Sequence, residues 1–143
     1  MPRQTPPDRN AFKAFRALPT RWADNDAYGH MNNATYFALF DTAVSLWQME
    51  QGIVIDGLDP KRFLVVENGC TYFSEVGFPD LLHAGLRLAN LGTSSFKTEI
   101  ALFRNDETKA AAMGFFTQVH VDTSGRSAPL PTQIRAALSS LAR

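Results

Sequence analysis

Between Arg21 and Asn33 the chain reads RWADNDAYGHMNN, a short stretch holding two carboxylates two residues apart, a glycine, a histidine and, at its end, the adjacent pair Asn32 and Asn33. Asn32 or Asn33 is placed to cap a helix. The unpaired N–H groups of the first helical turn, with the positive end of the helix dipole, would then face whatever lies in front of them. An anion or a polarised carbonyl belongs in that position. Gly29 removes a Cβ where the backbone must turn sharply or approach a ligand, and Asp26 stands three residues before it on the incoming loop. Donors for a developing oxyanion, and a carboxylate able to attack a carbonyl or deprotonate a water, are the parts needed for acyl transfer to water. A thioester suits such a site, because a thiolate leaves easily whereas an amide demands an acid for its amine.

Each residue also has a plainer reading. Asp is common wherever the backbone bends, so Asp26 alone is equally a turn residue. Asp24 reads as a structural group, a cap or a partner for Arg21. His30 has only His83 and His120 for company, on separate strands, so no metal triad is expected and the ring reads as a brace for the loop. The asparagine side chains would cap a helix in any protein, so the backbone position is what counts. Cys70 beside Tyr72 reads as a buried, inert thiol. The Gly92–Ser95 turn touches a ligand or simply closes a hairpin, and Ser94 and Ser95 lack the Gly-x-Ser-x-Gly setting of a serine hydrolase.

The element that must carry this loop is the clearest in the sequence. From Ala34 to Gln51, Tyr36, Leu39, Phe40, Ala43, Leu46 and Trp47 recur at helical spacing, Asp41, Ser45 and Gln48 share another face, and Gly52 supplies a stop. Phe37, Ala38 and Val44 widen the apolar surface, which predicts a central helix wrapped on several sides. Before it, Phe12 to Trp22 allows a strand that Pro19 confines to an edge or bulge. After it the period changes to two: Phe63–Val66, Cys70–Phe73, then Leu82, Ala84, Leu86 and Leu88 alternating with His83 and Arg87. A turn at Gly92–Ser95 leads to Phe96–Phe103, and Asn105–Thr108 leads to a run over Ala111–Val121. Short connections imply antiparallel pairing. Ser124–Arg126 closes the last strand, and Pro131–Thr132 opens a short amphipathic helix bearing Ile134, Leu138 and Leu141. An antiparallel sheet with one face to bury, and one long apolar helix to cover it, gives an α+β architecture.

The chain has 143 residues, 45% of them hydrophobic, which suits one core and not two. Residues 1–11, with three prolines and mostly polar side chains, read as a flexible tail before a single domain over 12–143. Fourteen basic and fourteen acidic side chains cancel, so no global field favours nucleic acid. One cysteine excludes an internal disulfide, no CxxC pair offers a zinc site, and no metal or cofactor is expected. No apolar run reaches the length of a signal core or membrane span, so a soluble, unexported, cytoplasmic protein with no membrane partner is expected.

DNDAYGHMNNATYFALFD resembles the catalytic loop and helix start of hot-dog-fold thioesterases of the 4-hydroxybenzoyl-CoA thioesterase type. LHAGLRLANLGTSSFKTEIALF resembles that family's paired strands with their Gly-x-Ser-Ser turn, and GRSAPLP the segment before its last helix. The resemblance covers all but the tail and implies a hot-dog fold, an antiparallel sheet wrapped around the long helix. It also implies hydrolysis of an acyl-CoA, or of an acyl-carrier-protein thioester, with Asp26 as nucleophile or general base and the backbone N–H of Asn33 polarising the carbonyl. Tyr36 would line the acyl side. Gly29, His30, Asn32 and Ser95 join it as candidates for substrate contact, and Arg87, Lys97 and Arg126 for the CoA phosphates. Homodimers, often paired into homotetramers, would complete each site. The benzoyl-specific branch has apolar residues where His30, Met31 and Asn32 stand here. The present variant resembles the branch acting on fatty acyl-CoAs, with Phe37, Phe40 and Trp47 serving as acyl channel or as core. Two other functions fit the same architecture: a non-hydrolytic acyl-CoA or acyl-carrier binding module, and a hydratase or dehydratase using His30.

Overall fold

The computed structural model describes residues 4–53 and 62–142. Residues 1–3 of the expected tail, and 54–61 and 143 of the expected domain, lie outside these. Strand β1 (Ala14–Pro19) precedes the long helix α1 (Asn33–Glu50), which is followed by β2 (Arg62–Tyr72), β3 (Leu81–Leu91), β4 (Ser95–Arg104) and β5 (Ala112–Val121), and then by α2 (Thr132–Ser139). The strands form one five-stranded sheet in the order β1-β3-β4-β5-β2, every pairing antiparallel. Helix α1 lies across one face. This is the hot-dog arrangement the sequence implied.

Register decides what the helix covers. Leu82, Ala84 and Leu86 of β3 share a face with Ile100 and Leu102 of β4 and with Ala112 and Phe116 of β5, and all are buried in one cluster with Tyr36, Phe40, Ala43, Val44 and Trp47 of α1. Gly114 lets the helix come close: a Cβ there would fall inside the space of the Phe40 ring. Gly114→Ala is therefore expected to cost about 2 kcal/mol through overpacking. Urea denaturation reads it as a lower midpoint at unchanged slope.

Four expectations change. The helix is not wrapped on several sides within one chain, because Ala34, Ala38, Asp41 and Thr42 face outward and are exposed. Gln48, assigned to the polar face, is buried beside Trp47 in the last turn. The two expected strands Phe63–Val66 and Cys70–Phe73 are one strand. An irregularity between Val65 and Glu67 absorbs the interruption, and Gly69 leaves room for the Phe115 ring. This strand pairs with β5 and not with the next strand in sequence. Finally, residues 7–11, part of the expected tail, lie bonded against the connection between β4 and β5. Ala110 N–H donates to Pro7 O, and Arg9 N–H donates to Thr108 O. The Arg9 guanidinium donates to the carbonyls of Glu107 and Asn105 and lies 5.0 Å from the Phe103 ring centroid. A proline-rich segment is held here because its arginine finds carbonyls and an aromatic face to bind.

Candidate active site

The loop before α1 is shaped by its own backbone. Asn25 and Met31 form an antiparallel bridge, Asp26 N–H donates to His30 O at 2.6 Å, and Gly29 turns the chain at φ +83°. Only a residue without a Cβ takes that conformation cheaply. Asp26 Oδ1 accepts from the N–H groups of Tyr28 (2.8 Å) and His30 (3.2 Å). Its other carboxylate oxygen has no partner among the described residues. The carboxylate is thus oriented through one oxygen and left available through the other.

Asn32 is the N-cap of α1, its Oδ1 accepting from Ala34 N–H at 2.9 Å. Asn33 is then the first helical residue, and its N–H finds no acceptor among the described residues. Asp24 behaves as a structural group: it is buried, and its carboxylate accepts from Arg21 N–H, Nε and Nη2 at 2.7, 3.1 and 2.8 Å. Its carbonyl accepts from Asn32 N–H at 2.8 Å, so it anchors the cap.

Asp26, His30, Met31, Asn33 and Tyr36 line a cavity of about 460 Å³ whose opposite wall is Tyr72, Phe73, Ser74 and Glu75, at the end of β2 and just beyond. The Tyr36 and Tyr72 rings meet edge to face at 4.9 Å. Burial, then the nearby Cys70, Tyr72 and Glu75, pushes the Tyr36 hydroxyl up to about 12, so it is present as a hydrogen-bond donor and not as a phenolate base. Burial likewise pushes the Cys70 thiol up to about 11, which keeps it protonated and unreactive, as its strand setting suggested.

The structure thus brings together Asp26, His30, Asn33 and Tyr36 and sets Asn32 beside them as a cap. Gly29 faces a neighbouring cavity. The other candidates do not line the cavity at Asp26. Arg87 is buried on the sheet face opposite α1, where Nε pairs with Glu99 Oε1 at 2.8 Å and the guanidinium lies 4.6 Å from the Phe12 ring centroid. A guanidinium engaged in this way is not presented to a phosphate. Lys97 lies on the same outer face, 4.3 Å from the Phe115 ring centroid. Ser95 opens β4, its carbonyl accepting from Gly92 N–H to close the hairpin. Arg126 is exposed in the loop organised by Asp122. Phe40 and Trp47 pack as core.

Sequence reasoning missed the far wall, Tyr72 to Glu75. Its one trace was the period-two run ending at Phe73. Nothing local shows that this end folds back onto the start of the helix. Among the described residues no three His, Cys, Asp or Glu side chains gather to hold a metal ion, and no helix is long and apolar enough to cross a membrane.

A family model described as the thioesterase-like superfamily matches residues 20–138, which include the whole of this loop, helix and sheet apart from β1. The chain belongs to the thioesterase-like superfamily. Among solved structures, the PA5185 protein of Pseudomonas aeruginosa is similar at 43% identity and a TM-score of 0.91, over 96% of each chain. A Thermus thermophilus thioesterase solved with coenzyme A and zinc is similar at 28% identity, TM-score 0.73, over 92% of this chain and 95% of that one. The 1,4-dihydroxy-2-naphthoyl-CoA thioesterase of Synechocystis, 16% identical with a TM-score of 0.80 over 89% of this chain and 96% of that one, shares the fold. No curated protein matches the chain.

Proposed function

We propose that this superfamily member hydrolyses acyl-CoA thioesters at the cavity before α1. The observation that carries the reading is the convergence on one cavity of a carboxylate with one oxygen unpartnered, Asp26, and a helix-start N–H without an acceptor, at Asn33. The thioester carbonyl binds with its oxygen at the Asn33 N–H, where the helix dipole and the donor favour developing negative charge. Asp26 then acts in one of two ways. As a base it takes a proton from a water that adds to the carbonyl carbon; the C–S bond breaks, and the thiolate takes that proton to leave as CoA. As a nucleophile it displaces the thiolate, forming a mixed anhydride that water cleaves. Either way the products are a carboxylic acid and a thiol.

Coenzyme A as the thiol is supported by the Thermus thermophilus relative solved with it. Free Cys70 fits a reducing cytoplasm. The test is thiol release from a panel of acyl-CoAs and acyl-carrier-protein thioesters. Release above the uncatalysed rate from at least one member is expected. Tight binding with no release would favour the binding module, and loss of enoyl absorbance without thiol release would favour a hydratase.

The working unit we propose is a homodimer, itself able to pair into a tetramer. Strand β2 is an edge of the sheet, and Leu64, Val65 and Val66 on it are 52%, 44% and 62% exposed. A long apolar edge left unpaired among the described residues is a template for another strand, and a second copy supplies one in matching register. Tyr72 closes the site on that same strand, so pairing there would bring the neighbouring chain against the cavity wall. Leu64→Lys combined with Val66→Lys is expected to shift the chain from dimer to monomer in sedimentation velocity and to lower thiol release with it.

A further inference from the structure

The cavity at Asp26 has a neighbour. A second cavity, of about 260 Å³, is lined by Gly29, Val76, Phe78 and the Asp80–Arg104 pair among others, and His30 and Glu75 are the residues it shares with the first. His30 Nε2 lies 3.0 Å from Glu75 Oε2. This contact runs from the loop before α1 to the β2–β3 connection and forms the partition between the two spaces.

The partition is not what ties the loops together. Met31 N–H donates to Val76 O at 2.9 Å, and Phe78 N–H donates to Asn25 Oδ1 at 3.0 Å, so the loops stay joined without it. The His30 and Glu75 side chains are 47% and 73% exposed, and an ion pair so exposed adds little stability. Its position matters more. His30 N–H is bound to Asp26 Oδ1, and His30 lines the same cavity as Asp26 and Asn33, so it belongs to the end of the cavity where the proposed carbonyl binds. Behind the wall, charge is already balanced. Burial would raise the Asp80 carboxyl, but hydrogen bonds from Gly77 N–H, Asn105 and Arg104 hold it below its ordinary value, and Arg104 Nε lies 2.9 Å from it. The space therefore suits an uncharged group.

Resting on the thioester-hydrolysis reading, we propose that the His30–Glu75 pair is a specificity-determining wall that limits bulk next to the thioester carbonyl. Straight acyl groups pass along the Tyr36 side. Groups branched at the carbon next to the carbonyl press on the His30 ring, and the second cavity is the space they would enter if the wall were gone.

The test compares wild type with His30→Ala, Glu75→Ala and His30→Gln in the full chain. One readout is kcat/KM for butanoyl-CoA against isobutanoyl-CoA and for pentanoyl-CoA against pivaloyl-CoA. The other is Kd by calorimetry for S-butyl-CoA against S-isobutyl-CoA, thioethers that cannot be hydrolysed. In His30→Ala the branched-to-straight ratio is expected to rise about tenfold in both readouts, the usual worth of a methyl group in a pocket. A smaller rise is expected in Glu75→Ala, and none in His30→Gln, whose amide still reaches Glu75. A ratio unchanged in His30→Ala, including a parallel fall for both substrates, overturns the wall. Wild type that releases thiol from no thioester overturns the hydrolase reading instead, and the thioether Kd ratio then decides the wall by itself.

Discussion

Asp26→Asn is expected to lower kcat for acyl-CoA hydrolysis by about a thousandfold, within the usual range for losing a positioned base or nucleophile, while leaving the fold intact. The substitution is mild structurally. Asparagine keeps an oxygen for the N–H groups of Tyr28 and His30, which hold Asp26 Oδ1 at 2.8 and 3.2 Å, and it is at home in a loop that bends this way. What it removes is the second, unpartnered carboxylate oxygen, since an amide nitrogen neither attacks a thioester nor takes a proton from water. KM should move far less than kcat, because the Asn33 N–H and the aromatic walls at Tyr36 and Tyr72 remain. Steady-state thiol release, with circular dichroism to verify folding, reads the result. A folded Asp26→Asn chain turning over at the wild-type rate would remove Asp26 from the chemistry.

What was legible in the sequence follows from which interactions are local. Helix α1 was visible to within a residue at each end, since its apolar spacing, its Asn32 cap and Gly52 all lie within it or beside it. The β3-β4-β5 meander was equally visible, as three strand-like runs separated by two turns rich in Gly, Ser, Asn and Asp. Strand β2 was not. The polar Glu67-Asn68-Gly69 interruption reads as a turn unless β5 is known to lie alongside, with Phe115 against Gly69. Cationic side chains could be picked out, but not which of them already have a partner. Arg87 meets Glu99 twelve residues away only because β3 and β4 pair in that register, and Phe12 closes over it from another part of the chain. For the site, the half borne by one continuous segment, Asp26 to Tyr36, could be read directly. The half contributed by Tyr72 to Glu75 depends on the return of a strand some forty residues later, which no local pattern encodes.

The other half of the proposed chemistry is a backbone group, and a substitution exists that removes it almost alone. Asn33 is the first helical residue of α1, a position where proline is accepted because its missing N–H has no intrahelical role and its fixed φ suits the helix. The residue before a proline must be extended, and Asn32 already is, at φ −59° and ψ 137°. Asn33→Pro therefore keeps the cap, the helix and the Asp26 loop while deleting the one N–H proposed to hold the oxyanion. A loss of about 10²- to 10³-fold in kcat is expected, the range for removing a single oxyanion donor. Asn33→Ala, which changes the side chain and keeps the N–H, should cost far less. The ordering of the two variants is the discriminating result, because a side-chain role at Asn33 predicts equal losses and a purely structural role predicts a lower melting temperature in step with the lost activity. Proline that folds normally and hydrolyses like alanine would leave the helix start without a part in the reaction, and the carbonyl would then have to be polarised elsewhere in the cavity.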